Sequence, residues 1–263
     1  MNRRKWCDFT WNPVTGCLHG CKYCYARKMS ARWNRIRCEK CKGCGLDEPF
    51  DDPYANPDCC PACNGSGTVP DPDAFKPKFH PNRLDQPAKR KKPARIFVVS
   101  MGDLFGEWVD DSWIEQVFAA CEAAKQHIYY FLTKNPARYF GVQNGEYKSS
   151  MVPNKKNWFF GHSTNGKLLR SHSIDNSNWF NRYISMEPLL YEPAFISELK
   201  DVLSWLIVGS ETKNGKPVNM PKREWILDIR TQCKELGIPL FEKDSLAGLQ
   251  LPGGLIQEWP DNK

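Results

Sequence analysis

Residues 17–24 read Cys-Leu-His-Gly-Cys-Lys-Tyr-Cys, so three thiols, Cys17, Cys21 and Cys24, share one short loop with C-x3-C-x2-C spacing. Three thiolates this close can ligate three irons of a [4Fe–4S] cluster and leave the fourth iron open to a small chelating molecule. A fourth cysteine would instead complete a plain electron carrier. Two other readings use the same residues: a zinc site built from the three thiols and His19, or three structural thiols. Zinc sites usually pair C-x2-C units that lie apart in the chain, so the uneven spacing favours iron.

A second set of thiols follows. Residues 38–45, Cys-Glu-Lys-Cys-Lys-Gly-Cys-Gly, and 60–67, Cys-Pro-Ala-Cys-Asn-Gly-Ser-Gly, both fit C-x2-C-x-G-x-G. Each knuckle offers two thiolates from a tight turn, and its glycines permit the positive φ that follows. Two knuckles complete a tetrahedral Zn2+ site from Cys38, Cys41, Cys60 and Cys63. An auxiliary Fe–S cluster is the competing occupant, and Cys44 or Cys59 could replace a neighbour as ligand. Of the quieter residues, Cys121 and Cys233 fall on apolar helical stripes and read as core, as does Cys7. His19 reads as a hydrogen-bonding loop residue. His162, at a strand end, is either catalytic or a satisfied histidine at the mouth of a barrel.

The elements that must hold these groups change character along the chain. Residues 35–70 are rich in Gly, Pro and Asp and nearly free of aliphatic side chains, so they need a metal to fold. Residues 71–94 combine five prolines, directly after Pro70, with the run Lys89-Arg90-Lys91-Lys92 and read as an extended, basic connector. From residue 95, nearly continuous apolar runs alternate with helical stretches: Arg95–Met101, Ile128–Thr133, Asn157–Gly161, Arg182–Met186, Trp205–Gly209 and Ile238–Phe241. Ser112 and Glu115 suggest a capping box opening the helix of Trp113, Ile114, Val117, Phe118 and Cys121. Phe195, Ile196, Leu199, Val202 and Leu203 suggest another helix. A further one runs through Trp225, Ile226, Ile229, Cys233 and Leu236 and stops at Gly237. With a first strand near Trp6–Trp11, the pattern predicts an α/β fold: a full or partial (β/α) barrel of about seven parallel strands with a small zinc-binding insertion. The parts are then 1–34 (first strand, cysteine loop and first helix), 35–70 (zinc-knuckle insertion), 71–94 (connector) and 95–263 (remainder of the barrel). Each run ends in polar residues, among them Asp103, Lys134, His162, Ser163, Glu187, Glu211, Glu242 and Lys243, as strands do that open on a catalytic face.

Twelve cysteines in 263 residues, clustered rather than dispersed, suit metal in a reducing compartment. No apolar run approaches the ~20 residues of a membrane span, and no apolar segment follows the basic N-terminus, which predicts a cytoplasmic protein. Residues 1–94 carry 18 Lys and Arg against 10 Asp and Glu, whereas residues 95–263 carry 19 against 20. The excess charge therefore lies in the cysteine-rich third, compatible with either a nucleic-acid partner or a solvated surface. Within it Trp33 is interleaved among Arg27, Lys28, Arg32, Arg35, Arg37, Lys40 and Lys42, a mixture suited to phosphate contact and base stacking.

The loop with Tyr23 before its last cysteine resembles the radical S-adenosylmethionine (radical SAM) superfamily. Longer strings are similar to an uncharacterised phage-associated radical SAM-like family: Trp11-Asn12-Pro13-Val14-Thr15-Gly16-Cys17, Cys24-Tyr25-Ala26-Arg27, the segment 96–105, Leu132-Thr133-Lys134-Asn135-Pro136, Ser185-Met186-Glu187-Pro188-Leu189-Leu190 and Ile207-Val208-Gly209-Ser210-Glu211. They span nearly the whole chain apart from residues 35–94. The flanks of the loop also share local similarity with relatives of spore photoproduct lyase, and the two knuckles resemble the zinc-binding region of DnaJ-type chaperones. The superfamily resemblance implies that Cys17, Cys21 and Cys24 hold a [4Fe–4S] cluster. S-adenosylmethionine would chelate its open iron, and one electron from a donor would cleave it to methionine and a 5′-deoxyadenosyl radical. Met101-Gly102-Asp103 stands where such proteins often carry a Gly-Gly-Glu-like segment, so Asp103 is the expected partner of the methionyl amine. Tyr23, Lys134, Glu187 and Glu211 are the other residues expected at S-adenosylmethionine, Lys134 equally suiting a substrate contact. The expected function is radical chemistry for modification or repair of a nucleic acid or nucleotide, DNA or RNA being the substrate. The alternatives are a radical SAM enzyme acting on a protein or small metabolite, and a metal-stabilised nucleic-acid-binding protein without radical chemistry.

Overall fold

The computed structural model describes residues 6–43, 60–140, 142–143, 146–147, 152–167, 181–193, 203–213 and 215–260. They fall into two compact units, Met1–Tyr23 with Pro77–Lys263, and Cys24–Lys76. The larger unit is built on seven strands: β1 Phe9–Trp11, β2 Arg95–Val98, β3 Ile128–Thr133, β4 Trp158–Thr164, β5 Asn181–Met186, β6 Trp205–Val208 and β7 Leu240–Glu242. They pair in the order of the sequence and all in parallel, as a curled half-barrel sheet. Parallel strands buried on both faces explain the unbroken apolar runs.

Alternation of side chains sorts the two faces. Ile96, Val98, Tyr129, Phe131, Trp158 and Phe160 pack with Ile114, Val117 and Cys121 of a helix over Asp111–Glu122. Ile184, Met186, Leu206, Val208 and Leu240 pack with Ile226, Ile229 and Cys233 of a helix over Arg223–Leu236. The latter ends at Gly237, whose φ of 66° is left-handed. The opposite face is filled by Trp6, Cys7, Phe97, Tyr130, Phe159, Tyr183, Trp205, Ile207 and Phe241. Its rings meet at angles, such as Trp6 on Phe97 at 4.8 Å and Tyr130 on Trp205 at 5.3 Å between centroids.

Three expectations change. The helix over Asp111–Glu122 is capped by Asp110, which accepts from the Ser112 amide at 2.8 Å, and not by a Ser112–Glu115 box. A carboxylate two residues upstream reaches that amide directly, and hydrogen bonds from the Ser112 hydroxyl and then its amide hold the Asp110 carboxyl below its ordinary value. Residues 77–94 do not run as an extended connector. Lys78–Phe79 pairs with Val14–Thr15, and Pro81–Arg83 and Gln86–Lys89 form helical turns. Trp11 Nε1 donates to the Arg83 carbonyl at 2.7 Å and Arg83 Nη1 to the Asn12 carbonyl at 3.0 Å, which ties the segment to β1. Glu242 is a structural residue: it lies on the helix-covered face, fully buried, in a bidentate pair with Arg230 (2.7 Å for each bond). The helix expected through Phe195, Ile196, Leu199 and Val202, and Cys44 and Cys59, lie outside the described residues. Among the described residues no helix is long and apolar enough to cross a membrane.

Removing one partner of a buried pair strands the other charge. Arg230→Ala is therefore expected to lower unfolding stability by about 3–5 kcal/mol, read from the urea midpoint.

Candidate active site and metal centre

In the smaller unit the two knuckles close on each other. Cys38 Sγ and Cys60 Sγ are 4.0 Å apart, Cys41 Sγ and Cys63 Sγ 3.7 Å, and all four sulfurs lie within 4.8 Å of one another. Each knuckle makes the same turn: the Gly43 amide donates to the Cys38 carbonyl at 3.1 Å, and the Gly65 amide to the Cys60 carbonyl at 3.3 Å. Lys42 and Gly43, and Asn64 and Gly65, all have positive φ. Gly67 permits the closure, since a Cβ there would stand 2.4 Å from the Gly43 carbonyl oxygen. A hairpin of Arg35–Arg37 with Thr68–Pro70 joins the knuckles. All four sulfurs are buried. Burial and a hydrogen bond with Cys41 push the Cys63 thiol up to about 11. Such thiols ionise when a cation takes the charge. The group could hold a metal ion such as zinc. It is the one group of its kind among the described residues.

In the larger unit the polar residues gather where the strands end. The loop after β1 is held against the segment after β2. The Gly16 amide donates to the Met101 carbonyl at 2.9 Å, and the Met101 amide donates to Asn12 Oδ1 at 2.8 Å. The approach needs Gly102, because a Cβ would sit 2.7 Å from the Gly16 carbonyl oxygen. This brings buried Asp103 beneath the cysteine loop. Its carboxylate accepts from His19 Nε2 at 2.8 Å, from the Lys134 amide at 3.0 Å and from the Phe105 amide at 3.0 Å. His19 also meets the edge of Trp108, 4.8 Å between centroids. Lys134 Nζ lies 5.4 Å from the centre of the Tyr23 ring and donates to Tyr23 Oη and Ser163 Oγ, both at 3.2 Å. Glu187 after β5 pairs with Lys243 after β7.

A family model described as a protein of unknown function, DUF5131, matches residues 2–247. The chain belongs to the DUF5131 family. No curated protein and no solved structure matches it.

Of the residues expected around a ligand in this DUF5131 chain, Tyr23 and Lys134 are brought together, with Ser163. Asp103 is engaged by three donors of the chain itself, so its position is that of a brace for the loops. Glu187 is paired across the strand ends. Glu211 stands in the hairpin Glu211–Lys213/Lys216–Asn219, where it accepts from Asn219 Nδ2 at 2.7 Å. Cys17, Cys21 and Cys24 are half-buried thiols, and Cys24 Sγ caps the helix that follows by accepting from the Arg27 amide at 3.4 Å. Trp108 and Asn12 escaped notice as site residues. Their roles depend on loops that meet only in the fold, and their types carry no chemical signature.

Burial and the nearby Lys134 ammonium push His162 down to about 4, against a smaller opposing effect of Asp103. Below pH 6.5 the unfolded chain binds a proton there that the folded chain refuses, so stability falls as pH drops from 6.5 towards 4. Between pH 7 and 5 the loss at this residue is about 2 kcal/mol. His162→Gln is expected to lose correspondingly less stability over that interval in urea titrations at the two pH values. For the metal centre, Cys41→Ser or Cys63→Ser is expected to reduce zinc from about one ion per chain to near zero by elemental analysis.

Proposed function

We propose that this protein is a radical SAM enzyme, in which Cys17, Cys21 and Cys24 hold a [4Fe–4S] cluster and the strand ends of the half-barrel receive S-adenosylmethionine. The observation that carries the reading is the organisation of the loop after β1. Two thiols lie within it, the third follows Tyr23 directly, and a buried carboxylate braces it through His19. Three half-buried thiols with no fourth in the loop suit a cluster with one open iron. When bound, the cluster supplies an electron that cleaves S-adenosylmethionine to methionine and a 5′-deoxyadenosyl radical able to take a substrate hydrogen atom.

The chain's own residues do the positioning. Asp103 fixes the His19 ring and ties the ends of β1, β2 and β3 together. Lys134, held by Tyr23 and Ser163, places an ammonium where a carboxylate or phosphate can pair with it. Glu187, paired with Lys243, and Glu211 are the acids on offer to ammonium and hydroxyl groups of the ligand. The aromatic packing on one face of the sheet gives these strand ends a rigid support. The zinc of the Cys38, Cys41, Cys60 and Cys63 group is structural in this reading, because four buried thiolates leave no open position. The substrate is a nucleic acid or nucleotide, supported by the basic excess of the first 94 residues. The work is expected to take place in the cytoplasm, with an external electron donor.

Anaerobic reconstitution with iron and sulfide tests the proposal. The wild-type protein is expected to gain broad visible absorbance and, with a reductant and S-adenosylmethionine, to release 5′-deoxyadenosine. Cys21→Ala should lose iron while keeping zinc. Full iron content in that variant, or a wild type that binds no iron, would leave a metal-stabilised binding protein as the better description.

A further inference from the structure

The smaller unit carries a surface that its metal centre does not require. The helix over Tyr25–Trp33 turns Ala26 and Ser30 inward, and Ser30 Oγ donates to the Ala74 carbonyl at 2.6 Å. Its other side presents Tyr25, Met29 and Trp33 at i, i+4 and i+8, one stripe on the helix surface. These residues are 39%, 44% and 74% exposed, and Ile36 on the next strand is 41% exposed. Large apolar side chains left out in a line mark an interaction site. The stripe is set among cations: seven Lys and Arg against one acid, Glu39, between residues 24 and 43, all seven exposed. The Arg32 guanidinium lies 5.7 Å from the centre of the Trp33 ring.

We infer that this face of the Tyr25–Trp33 helix docks single-stranded nucleic acid, with a base stacked on Trp33 and phosphates on Lys28, Arg32 and neighbouring cations. The argument rests on complementarity. A polyanion matches the charge, and an exposed indole can stack on an unpaired base, which a duplex keeps inside its own stack. A membrane surface suits the face less well, because nine helical residues with cations beside the stripe offer little apolar area for insertion. This inference rests on the nucleic-acid part of the function proposed above and not on the radical chemistry. It assigns the strand-binding residues to the metal-bearing unit.

Fluorescence anisotropy of the full zinc-loaded chain with a fluorescein-labelled 20-mer of oligothymidine tests it, with a 20-base-pair duplex as comparison. The single strand should bind more tightly than the duplex. Trp33→Ala should weaken it about tenfold or more with the salt dependence unchanged, while Trp33→Phe should stay within a few-fold of wild type. Lys28→Gln with Arg32→Gln should flatten the log–log salt slope by about 0.7 for each phosphate that is no longer neutralised. Zinc content and the melting curve confirm that each variant is folded. The inference is overturned if wild type binds no oligothymidine at low salt, if folded Trp33→Ala binds as wild type does, or if phosphatidylserine vesicles are bound in a way that Trp33→Ala abolishes while oligothymidine is not. Since no iron is needed, Trp33-dependent binding by a protein that cannot be loaded with iron would keep this surface and remove the radical reading. Release of 5′-deoxyadenosine without strand binding would do the reverse.

Discussion

A carboxylate buried away from water must be given donors, and Asp103 takes its donors from three separate stretches of chain. His19 comes from the loop after β1, the Phe105 amide from the turn after β2, and the Lys134 amide from the end of β3. Each bond to an ionised group is worth more than a neutral one. Together they make the position of the cysteine loop depend on the positions of two neighbouring strands. The same amide that reaches Asp103 belongs to the residue whose ammonium reaches Tyr23 and Ser163. The geometry of the rim therefore follows from satisfying one charge. The close approach at Gly16 and Gly102 is what lets that charge lie beneath the loop.

The parallel sheet supplies the frame in which this can happen. Strands paired in sequence order send every C-terminal end to one edge, and the helices over Asp111–Glu122 and Arg223–Leu236 pack on one face. The helix-covered face takes aliphatic and aromatic residues from both layers, and at β7 it also takes the Glu242–Arg230 pair. The other face is packed with rings. Gly161 shows how tightly: a Cβ there would fall 2.3 Å from the Tyr183 ring. A rigid base of this kind holds rim residues on strand ends more firmly than loops alone could.

In the smaller unit a different balance operates. Its buried cluster consists of four cysteines with Val69 packed against them. Four thiols at these distances gain little from apolar burial, and Cys63 resists ionisation. A bound cation would convert mutual repulsion of thiolates into attraction to one centre, and its binding energy becomes folding energy. That small core leaves the exterior of the unit free to carry exposed cations and aromatic residues.

Periodicity was enough to expect parallel strands, the helix ending at Gly237 and the pairing of the two knuckles, because these depend on residue types at short, regular spacing. The spacing of Cys38, Cys41, Cys60 and Cys63 is itself a statement about geometry, since a C-x2-C turn brings two sulfurs together wherever it occurs. Loop contacts were not legible in this way. Nothing local distinguishes Asp103 as a brace from Asp103 as a ligand group, or Glu242 as a buried ion pair from Glu242 at an open strand end. The proline-rich stretch before β2 looked extended because proline denies helices, yet its partners on β1 lie about 70 residues earlier, as with Trp11 and Arg83. Composition and spacing thus determined the elements and the four-cysteine group of the two knuckles. Which charges pair with each other was decided by tertiary contacts between distant segments, where the need to satisfy buried polar groups outweighs local preference.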